Sequence, residues 1–480
     1  MQGLTVSRRK LVTSLGLLAI AAPILQACSS GSSGSAPAAQ PTAASNTSSS
    51  SSSAKAAPTP TTSAQSSSKA QPAQTASTAG KYKITLAVYA GANRDWMPRF
   101  AKQWAQQNPN AELSIAQIPY GNMDTKSVAE FTSGTMQDVL FSGCKWLPYN
   151  IVKGMFLAID DFVKQKDPGM SDFIPATVTE SKWNGKLYGL PFEFNTGNIN
   201  IIYYNKDMLA AKGVKEPTDE WTTEDFTSIA TKMTDASKGI WGTDIMPGTY
   251  YDMGTYARSY GGAVLRLPNF DKFTLTTDPN TVAATKWMVD LRAKHKAAPN
   301  RADSQNVGIL FPSQRVAMTG SCICSFTSVT QEVAKKFKWG VVLGPTGPKG
   351  LRGFDSFASI WNIYSKTKVP QQAYSLMMAL TSKEAATWAV HNDDQPPARV
   401  SVWKDPQLNK TNNIFERVAN WVSDGKDQGP FPIPSNLRYS ELQDKWANLS
   451  PALFYGEVDF QKGMQSIQQQ CEAIVQEPRA

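Results

Sequence analysis

Histidine is almost absent from this 480-residue chain: only His295 and His391 occur. Neither has a His or Cys at metal-ligand spacing, so no metal centre is expected and both rings read as structural. No G-x-G-x-x-G, G-K-[ST] or G-x-S-x-G segment is present. That removes the readable signs of a dinucleotide site, a phosphate loop and a hydrolase elbow. The adjacent acids Asp160-Asp161 and Asp393-Asp394 stand at expected helix starts or loops and read as caps or surface. Tyr203 and Tyr204 lie in an apolar strand and point to opposite faces, so they cannot ligate one ion together. No catalytic residue and no cofactor are therefore expected. Net charge is +9, but the first 80 residues hold Arg8, Arg9, Lys10, Lys55 and Lys69 and no acid. Subtracting those five leaves +4 on the remainder, which is no footprint for nucleic acid.

Long hydrophobic runs are missing too. The apolar stretch Leu11 to Ala22 is too short to span a bilayer, which takes about 20 residues, and suits the core of a signal peptide. Ser7-Arg8-Arg9-Lys10 precedes it and resembles a twin-arginine (Tat) signal. Leu25-Gln26-Ala27-Cys28 follows it and resembles a bacterial lipobox, in which Cys28 is the lipidated first residue of the mature protein. Residues 1–28 are thus expected to be a signal peptide, read by either Tat or Sec. From Ser29 to Gly80 the chain is nearly all Ser, Ala, Thr, Pro and Gln. It has almost nothing to bury, so 29–80 is expected to be a disordered linker. Such a linker would let a tethered domain range over about 40 Å. The expected location is extracytoplasmic, at a bacterial cell membrane through a lipid anchor.

Beyond Cys28 there are four cysteines: Cys144, Cys322, Cys324 and Cys471. An oxidising compartment permits disulfides among them. Cys322 and Cys324 are two apart in what reads as a strand, where a direct bond is strained. The expected bridge joins Cys144 to Cys322 or Cys324, with buried free thiols as the alternative.

What is abundant is alternation. Tyr82, Ile84, Leu86 and Val88 mark a strand, Trp96 to Gln107 an amphipathic helix, and Ala111 to Ile118 a second strand. A short helix (126–133) and a strand ending at Gly143 follow, giving a largely parallel α/β sheet. In such sheets ligands sit beyond the C-terminal strand ends. The loops there hold Asn93, Arg94 and Trp96, then Ser142, Lys145 and Trp146. Leu187 to Leu209 reads strand, polar break, strand, helix. This is how a chain leaves one lobe for another, and it puts Glu193, Asn195 and Asn198 at a cleft. A second crossover near 353–357 carries Asp355. Pro247 to Tyr251 reads as a loop with paired tyrosines. With 13 Trp and 15 Tyr, several in loops at strand ends, the chain is equipped to pack flat apolar faces on pyranose rings.

Four segments carry a resemblance. They are Leu187-Tyr188-Gly189-Leu190-Pro191 through Tyr204-Asn205-Lys206-Asp207-Met208-Leu209, Pro217 through Trp221-Thr222, Phe311 through Arg315-Val316-Ala317-Met318-Thr319-Gly320, and Ile360 through Ser365-Lys366 to Leu380-Thr381-Ser382. Over residues 81 to 480 the chain resembles the sugar-type extracellular solute-binding proteins of ABC importers, the class that includes maltose-binding protein. The resemblance implies an α/β, two-lobed periplasmic-binding-protein fold with a hinge and an interlobe cleft. Lobe one would hold 81–194 plus 357–415, and lobe two 197–353 plus 420–480. It implies capture of a mono- or oligosaccharide, delivery to an ABC permease, and no enzymatic activity. Carried over residue by residue, it assigns Asn93, Arg94, Ser142, Lys145, Tyr250, Arg438 and Tyr439 to the cleft. Cys322 stands where family members often place a stacking Trp; either Phe326 or Trp361 replaces it, or the ligand is not a stacked hexose. The other readings are a binding protein for a polyamine, peptide or organophosphate, and a secreted carbohydrate-active enzyme.

Overall fold

A computed structural model describes residues 80–477, apart from 91–93, 197–199, 267–269, 307–309, 324–325, 334, 394, 407, 409–412, 425–430 and 433–435. The expectations for Cys28, the signal peptide, the linker, Asn93, Asn198 and Cys324 lie outside the described residues.

Alternating apolar residues build β1 (Tyr82–Ala90), β2 (Ala111–Pro119) and β3 (Val139–Gly143), which pair in parallel with β1 in the middle. Between β1 and β2, helix Trp96–Gln107 buries Trp96, Met97, Phe100, Ala101 and Trp104, one stripe of a 3.6-residue period. A small hairpin, β4 (Lys182–Trp183) and β5 (Lys186–Leu187), leads into β6 (Gly189–Thr196). The chain then enters a second sheet through β7 (Ile201–Asn205), β8 (Trp241–Thr243), β9 (Val316–Ser321) and β10 (Trp339–Leu343), in the order β10-β7-β9-β8. It returns to the first sheet as β11 (Asp355–Ile363), antiparallel to both β3 and β6. Strand β12 (Phe431–Pro432) completes six strands, in the order β12-β11-β3-β1-β2 with β6 also on β11. These two passages, β6 to β7 and β10 to β11, are where the sequence places its crossovers.

Three hydrophobic cores follow from this arrangement. The first sits on the six-stranded sheet, around Leu86, Phe141, Trp361 and the helix Pro370–Leu380. Period-two alternation splits β7 between the other two. Ile202 and Tyr204 enter a second core with helices Tyr250–Ser259, Pro279–Ala293, Tyr439–Phe454 and Phe460–Gln476. Ile201 and Tyr203 enter a third, with Phe194, Phe354, Trp403 and Phe415. The Tyr204 hydroxyl donates to Glu216, 2.8 Å away.

Helix ends obey local chemistry. Asn205 accepts from the Met208 N–H and opens the helix after β7. Thr222 and Asp225 form a reciprocal capping box, as do Thr249 and Asp252. Gly213, at φ +61°, takes the left-handed turn that ends helix Lys206–Ala211.

Three expectations need correction. Cys144 is a buried free thiol, as is Cys471, so no bridge joins Cys144 to Cys322 or Cys324. Cys322 is disulfide-bonded, to a partner outside the described residues. Strand β9 stops at Ser321, so Cys322 lies beyond it. Tyr250 and Tyr251 are not in a loop: the Thr249–Asp252 box starts the helix at Tyr250, and both rings are buried.

One half-buried acid with a desolvated carboxyl makes stability depend on pH. Burial pushes the carboxyl of Asp244, just after β8, up to about 6, although Thr319 and Arg292 act to lower it. The folded state therefore holds this proton more tightly than the unfolded chain, whose value is about 3.9. Its contribution is complete below about pH 4 and lost as pH rises through about 6. Asp244→Asn is expected to melt above the parent at pH 7.5, with the difference closing by pH 4, as circular dichroism melts at the two pH values would show.

Candidate functional site

Three parallel strands end on one edge of the first sheet, and each delivers an aromatic ring there. Strand β1 supplies Tyr89, the turn after β2 supplies Tyr120, and the turn after β3 supplies Trp146. The rings of Tyr89 and Tyr120 meet edge-on with centroids 5.6 Å apart, and Tyr120 lies 5.9 Å from Trp146. Trp146 also packs against the second core. From that core Tyr439 and Tyr251 answer it, stacked at 6.4 Å and 28°. Tyr250 lies 5.9 Å from Tyr439. Burial pushes the phenols of Tyr250 and Tyr439 well up, so both stay neutral. Between the two groups stands Lys145. Its ammonium is 4.6 Å from the Trp146 ring centroid and 5.7 Å from those of Tyr120 and Tyr439. Desolvation pushes the half-buried carboxyl of Asp124 up, and Lys145 acts to lower it.

Beside the Tyr89 ring, 4.6 Å from its centroid, lies the guanidinium of Arg94. Arg94 pairs with Glu193 at 3.6 Å, and the other Glu193 oxygen accepts from the Ser359 hydroxyl at 2.6 Å. Glu193 and Asn195 are both on β6 and both 2% exposed. The side-chain oxygen of Asn195 is buried with no hydrogen-bond donor among the described residues. An unpartnered buried acceptor is costly, and this one stands where β6 leaves the first sheet for β7.

The sequence-predicted residues therefore fall into two groups. Arg94, Lys145, Trp146, Glu193, Asn195, Tyr250 and Tyr439 gather at the strand ends and on the facing helices. The others are held elsewhere. Trp361 is fully buried in the first core, stacked on Phe192 at 4.9 Å, and Trp96 packs on the same ring at 5.5 Å. Phe326 lies among Tyr203, Trp339 and Phe415, in the third core. Ser142 is buried in β3 and donates to Asn362 at 2.5 Å. Arg438 is paired with Glu441 and Glu477. Asp355 is fully buried, and its two oxygens accept from Arg258 and Thr255.

Tyr89, Tyr120 and Tyr251 were missed from the sequence. The first two obey the same signal that singles out Trp146, an aromatic at the C-terminal end of a parallel strand. Tyr251 has no sequence signal that separates it from its neighbour Tyr250. Among the described residues no group of three His, Cys, Asp or Glu could hold a metal ion, and no helix is long and apolar enough to cross a membrane.

Comparison with known proteins bears on this arrangement. A family model described as "Bacterial extracellular solute-binding protein" matches residues 99–416, more than half of the chain. A binding protein of Brucella abortus (strain 2308) is 25% identical over 316 residues, covering 64% of this chain and 73% of its own length. The arabinooligosaccharide-binding protein of Bacillus subtilis (strain 168) is 24% identical over 158 residues, covering 32% of this chain and 35% of its own. Among solved structures, an ABC substrate-binding protein from Listeria monocytogenes in complex with cycloalternan superposes with a TM-score of 0.70 at 21% identity. It covers 82% of this chain and 98% of that one. This likeness establishes the fold as that of the two-lobed solute-binding proteins.

Proposed function

This chain belongs to the family of bacterial extracellular solute-binding proteins, and we propose that it captures a carbohydrate between its two sheet-based lobes for delivery to an ABC permease. The observation that carries the reading is the pair of facing aromatic groups. Tyr89, Tyr120 and Trp146 line the strand ends of one core, and Tyr251 and Tyr439 stand on helices of the other. Flat rings match the C–H faces of pyranoses, while buried polar groups such as Asn195 and Glu193 can fix hydroxyls. The Bacillus subtilis and Listeria monocytogenes relatives, named for or bound to oligosaccharides, support the same class of solute.

Two of the three cationic side chains named for the site are matched by acids. Arg94 is matched by Glu193, and Arg438 by Glu441 and Glu477, so neither guanidinium is left over for a uronate or phosphate. Binding works by population shift: a solute that touches both lobes only when they close favours the closed form by its differential affinity. Non-enzymatic capture, export through the N-terminal signal (residues 1–28) by Tat or Sec, and anchoring through Cys28 complete the proposal. Thermal unfolding across a panel of mono-, di- and oligosaccharides tests it. A ligand at 100 times its Kd adds about 2.7 kcal/mol to the folded state and should raise Tm visibly for at least one sugar class. A flat panel with a response to polyamines, peptides or organophosphates would replace the carbohydrate by that solute.

A further inference from the structure

The three rings around the Lys145 ammonium come from both sides of the site. Tyr120 and Trp146 belong to the edge of the first sheet, whereas Tyr439 opens helix Tyr439–Phe454 of the second core. The same ring faces are the surfaces on which a sugar would stack. A ring face that holds an ammonium cannot also hold a pyranose, because both need van der Waals approach to the same few ångströms of π surface.

We propose that Lys145 is an internal occupant of the solute site: its ammonium joins the aromatic faces of the two cores while no solute is bound, and an entering solute must displace it. This deepens the carbohydrate reading given above and rests on it for the identity of the solute. Three features of the geometry support it. The nearest ring, Trp146, is the residue next in sequence, so Lys145 needs no rearrangement of the first core to sit there. Trp146 itself packs against the second core, so the contact lies where the two cores meet. Tyr439 is backed by Tyr251 and Tyr250, which hold its ring in place as the far wall. A four-carbon stem with a rotatable ammonium can withdraw to water when a sugar arrives, since lysine is strongly hydrated and flexible.

An internal competitor raises the apparent Kd in inverse proportion to the fraction of time it leaves the site free. Removing it should therefore tighten solute binding and, without solute, let the lobes part more often. The variant Lys145→Met keeps the stem and a soft terminal group that still tolerates aromatic neighbours. Its fold can be checked by an unchanged circular dichroism melt. For a sugar identified in the panel, Lys145→Met is expected to bind roughly 5–10-fold more tightly, the scale of a cation–π contact at a partly exposed site. Lys145→Arg should stay close to the parent, because guanidinium keeps the contact. Small-angle scattering of the solute-free proteins should show a larger radius of gyration for Lys145→Met than for the parent. A tenfold loss of sugar affinity in Lys145→Met would overturn the proposal, making Lys145 a direct hydrogen-bond donor to the solute. Identical scattering and identical affinity in the two proteins would overturn it as well. If no sugar binds the parent, the carbohydrate reading fails, and the scattering comparison alone still decides whether Lys145 joins the two cores.

Discussion

Asp355→Asn is expected to destabilise the protein by about 3–5 kcal/mol, the cost of breaking a buried ion pair by removing one of its charges. Asp355 is the first residue of β11, where the chain returns from the second sheet to the first, and it is fully buried. Its carboxylate accepts from the Arg258 guanidinium at 2.5 Å and from Thr255 at 3.2 Å. Both partners are on helix Tyr250–Ser259, so the pair fastens that helix to the returning strand. The fit is close enough that a Cβ on Gly353 would fall 1.7 Å from the Thr255 carbonyl oxygen. Burial nevertheless pushes the Asp355 carboxyl upward, even with Arg258 working to lower it. Desolvation is thus not fully offset, and this produces an asymmetry. Breaking the pair takes the Asp355 carboxylate away from Arg258, whose side chain is 5% exposed, whereas replacing both members by apolar groups should cost little. The double variant Asp355→Leu, Arg258→Met is expected to recover most of the loss. Urea unfolding of the two single variants and the double one measures the coupling. A loss below about 1 kcal/mol in Asp355→Asn would mean the pair is not the fastening described here.

The second large effect concerns the solute. Trp146→Ala should weaken carbohydrate binding on the order of 30-fold or more, the range of an aromatic anchor at the centre of an interface. It removes the ring that touches Tyr120, holds Lys145 and packs on the second core at once. Phe326→Ala is the matched control. Phe326 is also an aromatic predicted from the sequence to stack on solute, but it lies among Tyr203, Trp339 and Phe415. Its loss should lower stability through a cavity and leave affinity unchanged.

The contrast between Trp146 and Phe326 shows what was legible in the sequence. Trp146 follows a strand whose direction and end could be read from periodicity, and strand ends are where α/β sheets bind ligands. Phe326 has only its nearness to Cys322, at a position where relatives carry a Trp, to recommend it, and position in a chain says little about which way a ring points. The crossover at Leu187 to Leu209 was readable because its signals are local: β-branched residues, a polar break, and Asn205 as a cap. The capping box at Thr249 and Asp252 was equally local, yet Pro247-Gly248 suggested a loop, so Tyr250 and Tyr251 were placed one element early. Asp355 could be placed at a crossover but not paired, because Arg258 is 97 residues away and no pattern within either segment records the contact. The free thiol of Cys144 illustrates the same limit: cysteine count permits a bridge, and only tertiary distance decides it.

The most direct test is a melting-temperature titration of the parent and of Trp146→Ala side by side with the carbohydrate that responds best in the panel. The parent should rise with ligand concentration as binding to the folded state requires, and Trp146→Ala should need on the order of 30 times more ligand for the same rise. An equal rise in both proteins would place the sugar away from these facing rings, and no rise in the parent with any carbohydrate would contradict the assignment itself.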